Sequence, residues 1–404
     1  MEPKIIKDNK IAFIICVNNQ MYLDECCAYI ERLSVPQGYE VEVFPVWDSS
    51  GMCQAYNIGM NASDAKYKVY IHQDVFIVEQ NFLYNIVDIF KKHKDVGMIG
   101  MVGAESIPKT GVFFNSYNVG KIEVREPDMP YYYVAGKDKK ELMDVQAVDG
   151  VLIATQIDIT WREDLFKDFD FYDVSQGLEF IRAGYRVVVP AQEKPWIIHD
   201  CGFAKLNKYD KNRLIFVKNY SEFLTSDDGT EFEYNEEWDK LSSQLAEIVK
   251  NYIDAGEWDR VEQVIDTYKS NNYKNSELER QCVIYNIYKN EMKEKGESSF
   301  CKAGMCYKQI AEKYCKIRFA MRRYELGMVD DVTENYEKDI MQGEISVASV
   351  LTMLPHTTIR VRDLIMRLLL NKKNLQNEFE QLLLKVVDYA QKTDANIAYG
   401  RKYG

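Results

Sequence analysis

Proline is scarce in this chain, nine among 404 residues, and unevenly spread: eight lie at or before Pro195 and only Pro355 follows. Such lopsided punctuation points to two architectures in one chain. Histidine is scarcer still, with four. The nine cysteines contain no CxxC spacing, Cys26 and Cys27 are adjacent, and Cys301 and Cys306 stand too far apart, with no histidine close by, for a zinc pair. That argues against a disulfide framework or a zinc module and for reduced thiols scattered through helices and strands. No stretch approaches the ~18 apolar residues of a membrane span. The first apolar run, Ile11 to Val17, is too short and badly flanked for a signal peptide, so the cytoplasm is the expected location. No GxGxxG follows that run, which weighs against a dinucleotide-binding oxidoreductase. Basic residues number 51 against 63 acidic ones, a net charge of −12. That argues against a general nucleic-acid binder, because phosphate contact is mostly a matter of Lys and Arg density. An anionic ligand would need a local remedy for the charge.

What is present reads as a folded chain of two or three domains, at roughly 150 residues per domain. The first half alternates short apolar runs with helical patterns. Strands are expected at Ile11 to Val17, Tyr39 to Trp47, Lys66 to Ile71 and Val96 to Val102, with helices at Met21 to Leu33, after Asp48-Ser49-Ser50-Gly51, and at Phe82 to Lys92. This alternation predicts an α/β domain with a mainly parallel sheet, whose functional groups gather beyond the strand C-termini. Asn18, Asp48 and Asp74 fall at that edge. Residues 106–140 read as loops and a hairpin. A further strand is expected around Val148-Asp149-Gly150, a helix at Val174 to Ala183, and strands at Tyr185 to Val189 and Trp196 to His199. From about Glu231 the pattern is helical. An αα-hairpin is expected across Ala255-Gly256-Glu257-Trp258, with more helices at about 276–294, 306–326, 331–342, 358–371 and 375–391. The border falls between Tyr220 and Glu231, giving an α/β domain over 1–225 and an all-α domain over 226–404.

Three residues of the first half carry the chemistry of interest. Asp74 ends a strand at the ligand edge, where a carboxylate is well placed to hold a divalent cation, although turn and cap roles are common for such an Asp. His199 closes the run Trp196-Ile197-Ile198. A neutral imidazole there could complete a metal site with one carboxylate and phosphate oxygens, or be structural. Asp173 could N-cap the helix starting at Val174, serve as an active-site carboxylate, or do both, with Asp170 competing for either role.

The order of these pieces resembles the GT-A glycosyltransferases of family 2, over about residues 9–220. Val17-Asn18-Asn19 matches the first strand and its V-x-N turn. Trp47-Asp48-Ser49-Ser50-Gly51 with Ala55-Tyr56-Asn57-Ile58-Gly59 matches the acidic turn and the A-x-N-x-G helix. His72-Gln73-Asp74 is similar to a D-x-D element, with His72 in place of the first acid. Val148-Asp149-Gly150 and Tyr172-Asp173, followed by Gly184, match the later strand and helix. The wording around Phe171-Tyr172-Asp173 and Trp196 to Asp200 looks closest to a bacterial sub-branch.

The resemblance implies a Rossmann-like nucleotide-diphospho-sugar transferase domain and inversion by direct displacement. It implies Asp173 as general base, a donor bound by Val17, Asn18, Asp48, Asn57, Asp74, Asp149 and Trp196, and a divalent cation, Mn²⁺ or Mg²⁺, held by Asp74 and His199. The donor would be a UDP-sugar, and the enzyme a hexosyl- or N-acetylhexosaminyltransferase. The acceptor hydroxyl would belong to a protein, a glycan or a lipid-linked precursor. Trp196 and Tyr131 to Tyr133 could stack on sugar rings or simply anchor packing. The helical half would bind the acceptor, a partner protein or a second copy of the chain. The competing expectation is a GT-A-like scaffold that has lost catalysis and docks partners through its helices; His72 is the residue that favours it.

Overall fold

The computed structural model describes residues 5–112, 116–125, 130–134, 140–200, 206, 208–226, 234–255, 257–270, 275–282, 285 and 319. In chain order the elements are β1 (Lys7–Val17), α1 (Gln20–Glu31), β2 (Glu40–Trp47), α2 (Met52–Ala62), β3 (Ala65–His72), β4 (Val75–Ile77) and α3 (Phe82–Lys92). Then come β5 (Val96–Gly100), β6 (Val102–Ala104), β7 (Ile107–Pro108), β8 (Val119–Arg125), β9 (Pro130–Val134), β10 (Leu142–Asp144), β11 (Ala147–Val148) and β12 (Leu152–Thr155). The remainder is α4 (Tyr172–Arg182), β13 (Arg186–Pro190), β14 (Ile197–His199), α5 (Tyr209–Asn219), β15 (Leu224–Ser226), α6 (Glu236–Ala255) and α7 (Trp258–Ser270).

Seven strands form the main sheet in the order β10-β13-β5-β12-β3-β1-β2. β1 lies one strand in from the β2 edge. Ile11 to Ile15 are fully buried, as a continuous apolar run covered on both faces should be. β1 pairs in parallel with both β2 and β3. The expected mainly parallel sheet is in fact mixed, because β12 runs antiparallel between β3 and β5. β12 follows β11 through a tight turn at Asp149 and Gly150, with no crossover helix to reverse its direction, so it enters the sheet the other way up. A second sheet has the order β11-β6-β8-β14-β4 with β9 on β8, and β7 pairs with β15.

The helices show the physics that makes them. α3 buries Phe82, Leu83, Ile86, Val87 and Phe90, the i, i+4 stripe that faces a sheet. Asn19 caps α1, accepting from Met21 N at 3.0 Å and Tyr22 N at 3.4 Å. α2 starts at the end of the segment Asp48-Ser49-Ser50-Gly51, as expected, with Gly51 as its N-cap and no side-chain cap. The backbone replaces the cap, since Met52 N donates to Asp168 O at 3.0 Å. That close approach needs a glycine, because a Cβ on Gly51 would lie 2.4 Å from Lys167 O and 2.5 Å from Asp168 O. Gly51→Ala is therefore expected to destabilise the protein by about 1–3 kcal/mol, the usual cost of overpacking. Urea denaturation checks this, and an unchanged midpoint would contradict it.

The αα-hairpin is present. α6 and α7 pack through Ala246, Val249, Val261, Ile265 and Tyr268, joined by Leu278, Cys282 and Tyr285. The chain divides into two compact units, Met1–Glu297 and Ser298–Gly404. The described helices past residue 226 thus belong to the first unit. Asp210 of α5 accepts from Ser276 N at 2.9 Å and Ser276 Oγ at 3.0 Å, and Glu277 accepts from Leu206 N at 2.6 Å, tying them to the α/β part. The expected helices at 306–326, 331–342, 358–371 and 375–391, Phe319 apart, and the second half of that at 276–294, lie outside the described residues. Among the described residues, no helix is long and apolar enough to cross a membrane.

Candidate active site

Register brings the site together. The parallel pairing of β1 with β3 sets Cys16 opposite His72, and that of β1 with β2 sets Val17 opposite Trp47. Asn18, Gln73 and Asp48 therefore leave the sheet at one edge. Gln73 locks two of these turns together. Its Oε1 accepts from Asn18 N and Asn19 N, both at 3.0 Å, and its Nε2 donates to Asn18 Oδ1 at 2.6 Å. Three hydrogen bonds of about 1 kcal/mol each stand behind that lock. Gln73→Leu should cost about 1–3 kcal/mol of stability in urea denaturation, and loss of less than a few tenths would show that the turn holds without it. Asp48 is exposed with a left-handed φ of 53°, an uncommon conformation that Asp tolerates better than most residues.

His199 arrives by a different ladder. β14 runs antiparallel to β4, pairing Ile197 with Ile77, Ile198 with Phe76 and His199 with Val75. Asp200 N donates to Asp74 O at 2.8 Å. The result places His199 Nε2 3.5 Å from Asp74 Oδ1, and His72 Nδ1 3.9 Å from the same oxygen. One ligand atom from each of His72, Asp74 and His199 falls within 4.8 Å of the others. Burial holds the His72 imidazole below its ordinary pKa, against the pull of Asp74. Burial would raise Asp74, but His199 and then His72 outweigh it and keep the carboxyl below its ordinary value.

Asp173 lies deeper. α4 begins one residue earlier than Asp173, with Phe171 at its N-cap in the left-handed region (φ 62°), so Asp173 sits inside the first turn and is not the cap. Its Oδ2 accepts from Gly150 N at 2.9 Å and its Oδ1 from Val174 N at 2.8 Å. Burial, followed by the charge of Asp149, pushes its pKa up to about 7 despite those bonds. Asp149 accepts from Val151 N at 3.1 Å and from the Tyr117 hydroxyl. Tyr172, next to Asp173, hydrogen-bonds His72 Nε2 through its hydroxyl. Gly150 makes room for it: a Cβ there would lie 2.0 Å from that oxygen.

Not every expected residue joins this group. Val17 is the buried end of β1. Asn57 is buried in α2, with Nδ2 donating to Trp161 O at 3.0 Å and Glu163 Oε2 at 2.9 Å while Oδ1 accepts from Trp161 N at 2.9 Å. Its amide braces the loop below α4. Trp196 packs edge-on against Phe82, centroids 6.2 Å apart, and its carbonyl accepts from Val78 N and Glu79 N. Asp170 accepts from Asn212 of α5 at 3.5 Å, away from Asp173's partners, and burial raises its pKa to about 6. Tyr131 to Tyr133 lie on β9, paired with β8. Sequence reasoning named Gln73 and Tyr172 as members of motifs without giving either a role, and passed over Tyr117.

The mixed sheet, with acids and imidazoles collected at its strand ends, resembles the GT-A type of α/β domain. The family model described as "Glycosyltransferase like family" matches residues 12–220, just over half of the chain, and the chain belongs to that family. None of the curated proteins matches the sequence. Among solved structures, S. aureus TarS 1-349 in complex with UDP is similar at 12% identity, over 65% of this chain and 92% of that one, with a TM-score of 0.36. The mannosyltransferase PcManGT from Pyrobaculum calidifontis, in complex with GDP-Man and Mn²⁺, is similar at 12% identity over 72% and 84% of the two chains, with a TM-score of 0.34. Membership rests on the match over 12–220 and not on these distant likenesses.

Proposed function

We propose that the chain is an inverting glycosyltransferase that moves a sugar from a UDP-sugar to a hydroxyl of a protein, glycan or lipid-linked acceptor. The observation that carries this reading is the Tyr172–His72 hydrogen bond, because it joins the Asp173 end of α4 to the His72, Asp74 and His199 group in one connected site. Asp173 is the general base. Each of its oxygens accepts one backbone N–H and keeps a lone pair, so the carboxylate can still take the acceptor proton. Its pKa of about 7 suits a base working near neutrality. Asn18 and Asp48, at the shared strand edge, receive the nucleoside by accepting hydrogen bonds from base or ribose.

The donor set of carboxylate and imidazole fits a divalent cation, Mn²⁺ or Mg²⁺, which Asp74 and His199 would hold. When bound, its charge offsets that of the diphosphate leaving group. In this reading residues 1–225 carry catalysis, and the helical residues from 226 bind the acceptor, a partner or a second copy. Two measurements test the reading. Nucleotide sugars screened by thermal shift should give one selective stabiliser. That donor should then be hydrolysed slowly without acceptor; its complete stability would favour the scaffold instead.

A further inference from the structure

His72 occupies the place where the D-x-D pattern has its first acid, and each of its ring nitrogens has a polar neighbour, one within hydrogen-bond reach. Nδ1 faces Asp74 Oδ1 at 3.9 Å, alongside His199 Nε2 at 3.5 Å from the same oxygen. Nε2, on the far side of the ring, meets the Tyr172 hydroxyl. A neutral imidazole has one N–H and one lone pair. In the tautomer whose Nε2–H donates to the Tyr172 oxygen, the lone pair sits on Nδ1, the nitrogen that faces Asp74. Ligating histidines are characteristically fixed this way, by donating their other N–H to an oxygen outside the metal's shell. Tyr172 is itself held: it is buried, packs edge-on to Tyr56 at 5.9 Å, and fits only because position 150 is glycine.

We propose that His72 is a metal ligand through Nδ1, that Tyr172 is its positioning residue, and that the site consequently prefers a transition-metal ion such as Mn²⁺ or Co²⁺ to Mg²⁺. The inference rests on the transferase reading only for the purpose of the cation. The selectivity follows from the donors. Mg²⁺ binds oxygen ligands and keeps several waters. Two imidazoles and one carboxylate favour the later divalent ions, in the order Mn²⁺ below Co²⁺. A site with an acid at position 72 would be oxygen-richer and would discriminate less.

The test uses the full chain stripped of metal, with no nucleotide present. Calorimetric titration with MnCl₂, CoCl₂ and MgCl₂ should give Mn²⁺ at least about tenfold tighter than Mg²⁺. Pulsed electron paramagnetic resonance of the Mn²⁺-loaded protein should show two coordinated imidazole nitrogens. His72→Asp should leave one nitrogen and lower the Mn²⁺ to Mg²⁺ preference. Tyr172→Phe should keep both nitrogens yet weaken Mn²⁺ binding by about 10–100-fold, the usual effect of losing an outer-shell partner. A single nitrogen in the unaltered protein overturns the proposal without reference to any variant. So does Mn²⁺ affinity that is unchanged in folded His72→Asp. Two nitrogens in a protein that transfers no sugar would uphold the metal assignment while sinking the transferase reading.

Discussion

Asp173→Asn will lower sugar-transfer turnover by about 10²–10⁴-fold, the range for loss of a general base, while the protein still folds. Asparagine keeps the shape but takes no proton, and its one oxygen can accept from only one of Gly150 N and Val174 N, leaving its amide nitrogen against the other donor. Full activity in the folded variant would remove Asp173 from the base role. The pH profile sharpens the same expectation. The base works only when ionised, so with a pKa of about 7 kcat/KM should climb as pH rises through about 7 and level off above it. A second consequence concerns stability. The folded pKa lies above the ordinary 3.8, so between those values the native state holds a proton that the unfolded chain has released. The destabilisation is absent below 3.8, grows as pH rises, and is complete above about 7. Asp173→Asn cannot titrate. Relative to the parent, its Tm should therefore improve between about pH 5 and about pH 8. A difference in Tm that does not change with pH would show that burial is not what raises the group.

Removing divalent cations is expected to have an effect of similar size. Offsetting diphosphate charge contributes several kcal/mol to a transition state, and each 1.4 kcal/mol is tenfold in rate. Turnover in excess chelator should thus fall at least about 100-fold and return when Mn²⁺ is restored. Turnover indifferent to chelator would take Asp74 and His199 out of the metal role. Measuring metal-free Tm alongside separates this result from unfolding, because a group of like-behaving ligands left without its cation is no longer stabilised by binding.

The main strands and helices of the α/β half were legible because their apolar runs are long and regular. Phe82 to Lys92 reads as the same helix in sequence and in structure. β4 was not legible: Val75–Ile77 is three residues long, too short to display a period. The reversed direction of β12 was also hidden, since alternation within a strand looks identical whichever way the strand runs. At the site, Asp74 and His199 were readable from their positions at the ends of apolar runs, and the structure brings them together. His72 looked like a lost acid because pattern reading sees residue type and not the direction of a ring nitrogen. Asn57 looked like a ligand contact from its motif, yet its amide serves Trp161 and Glu163, partners more than a hundred residues away in sequence. Long-range hydrogen bonds of that kind leave no local trace.

The β4–β14 ladder makes the site sensitive to length as well as to residue type. Side chains alternate between faces along a strand, so a slip of one residue in the pairing of Ile197–His199 with Val75–Ile77 would turn the imidazole away from Asp74 and present a neighbour instead. Loops elsewhere between the two strands can lengthen or shorten without touching that alignment. Insertions in the connecting segments would therefore leave the site alone, while a single residue added or lost within either three-residue strand would disassemble it.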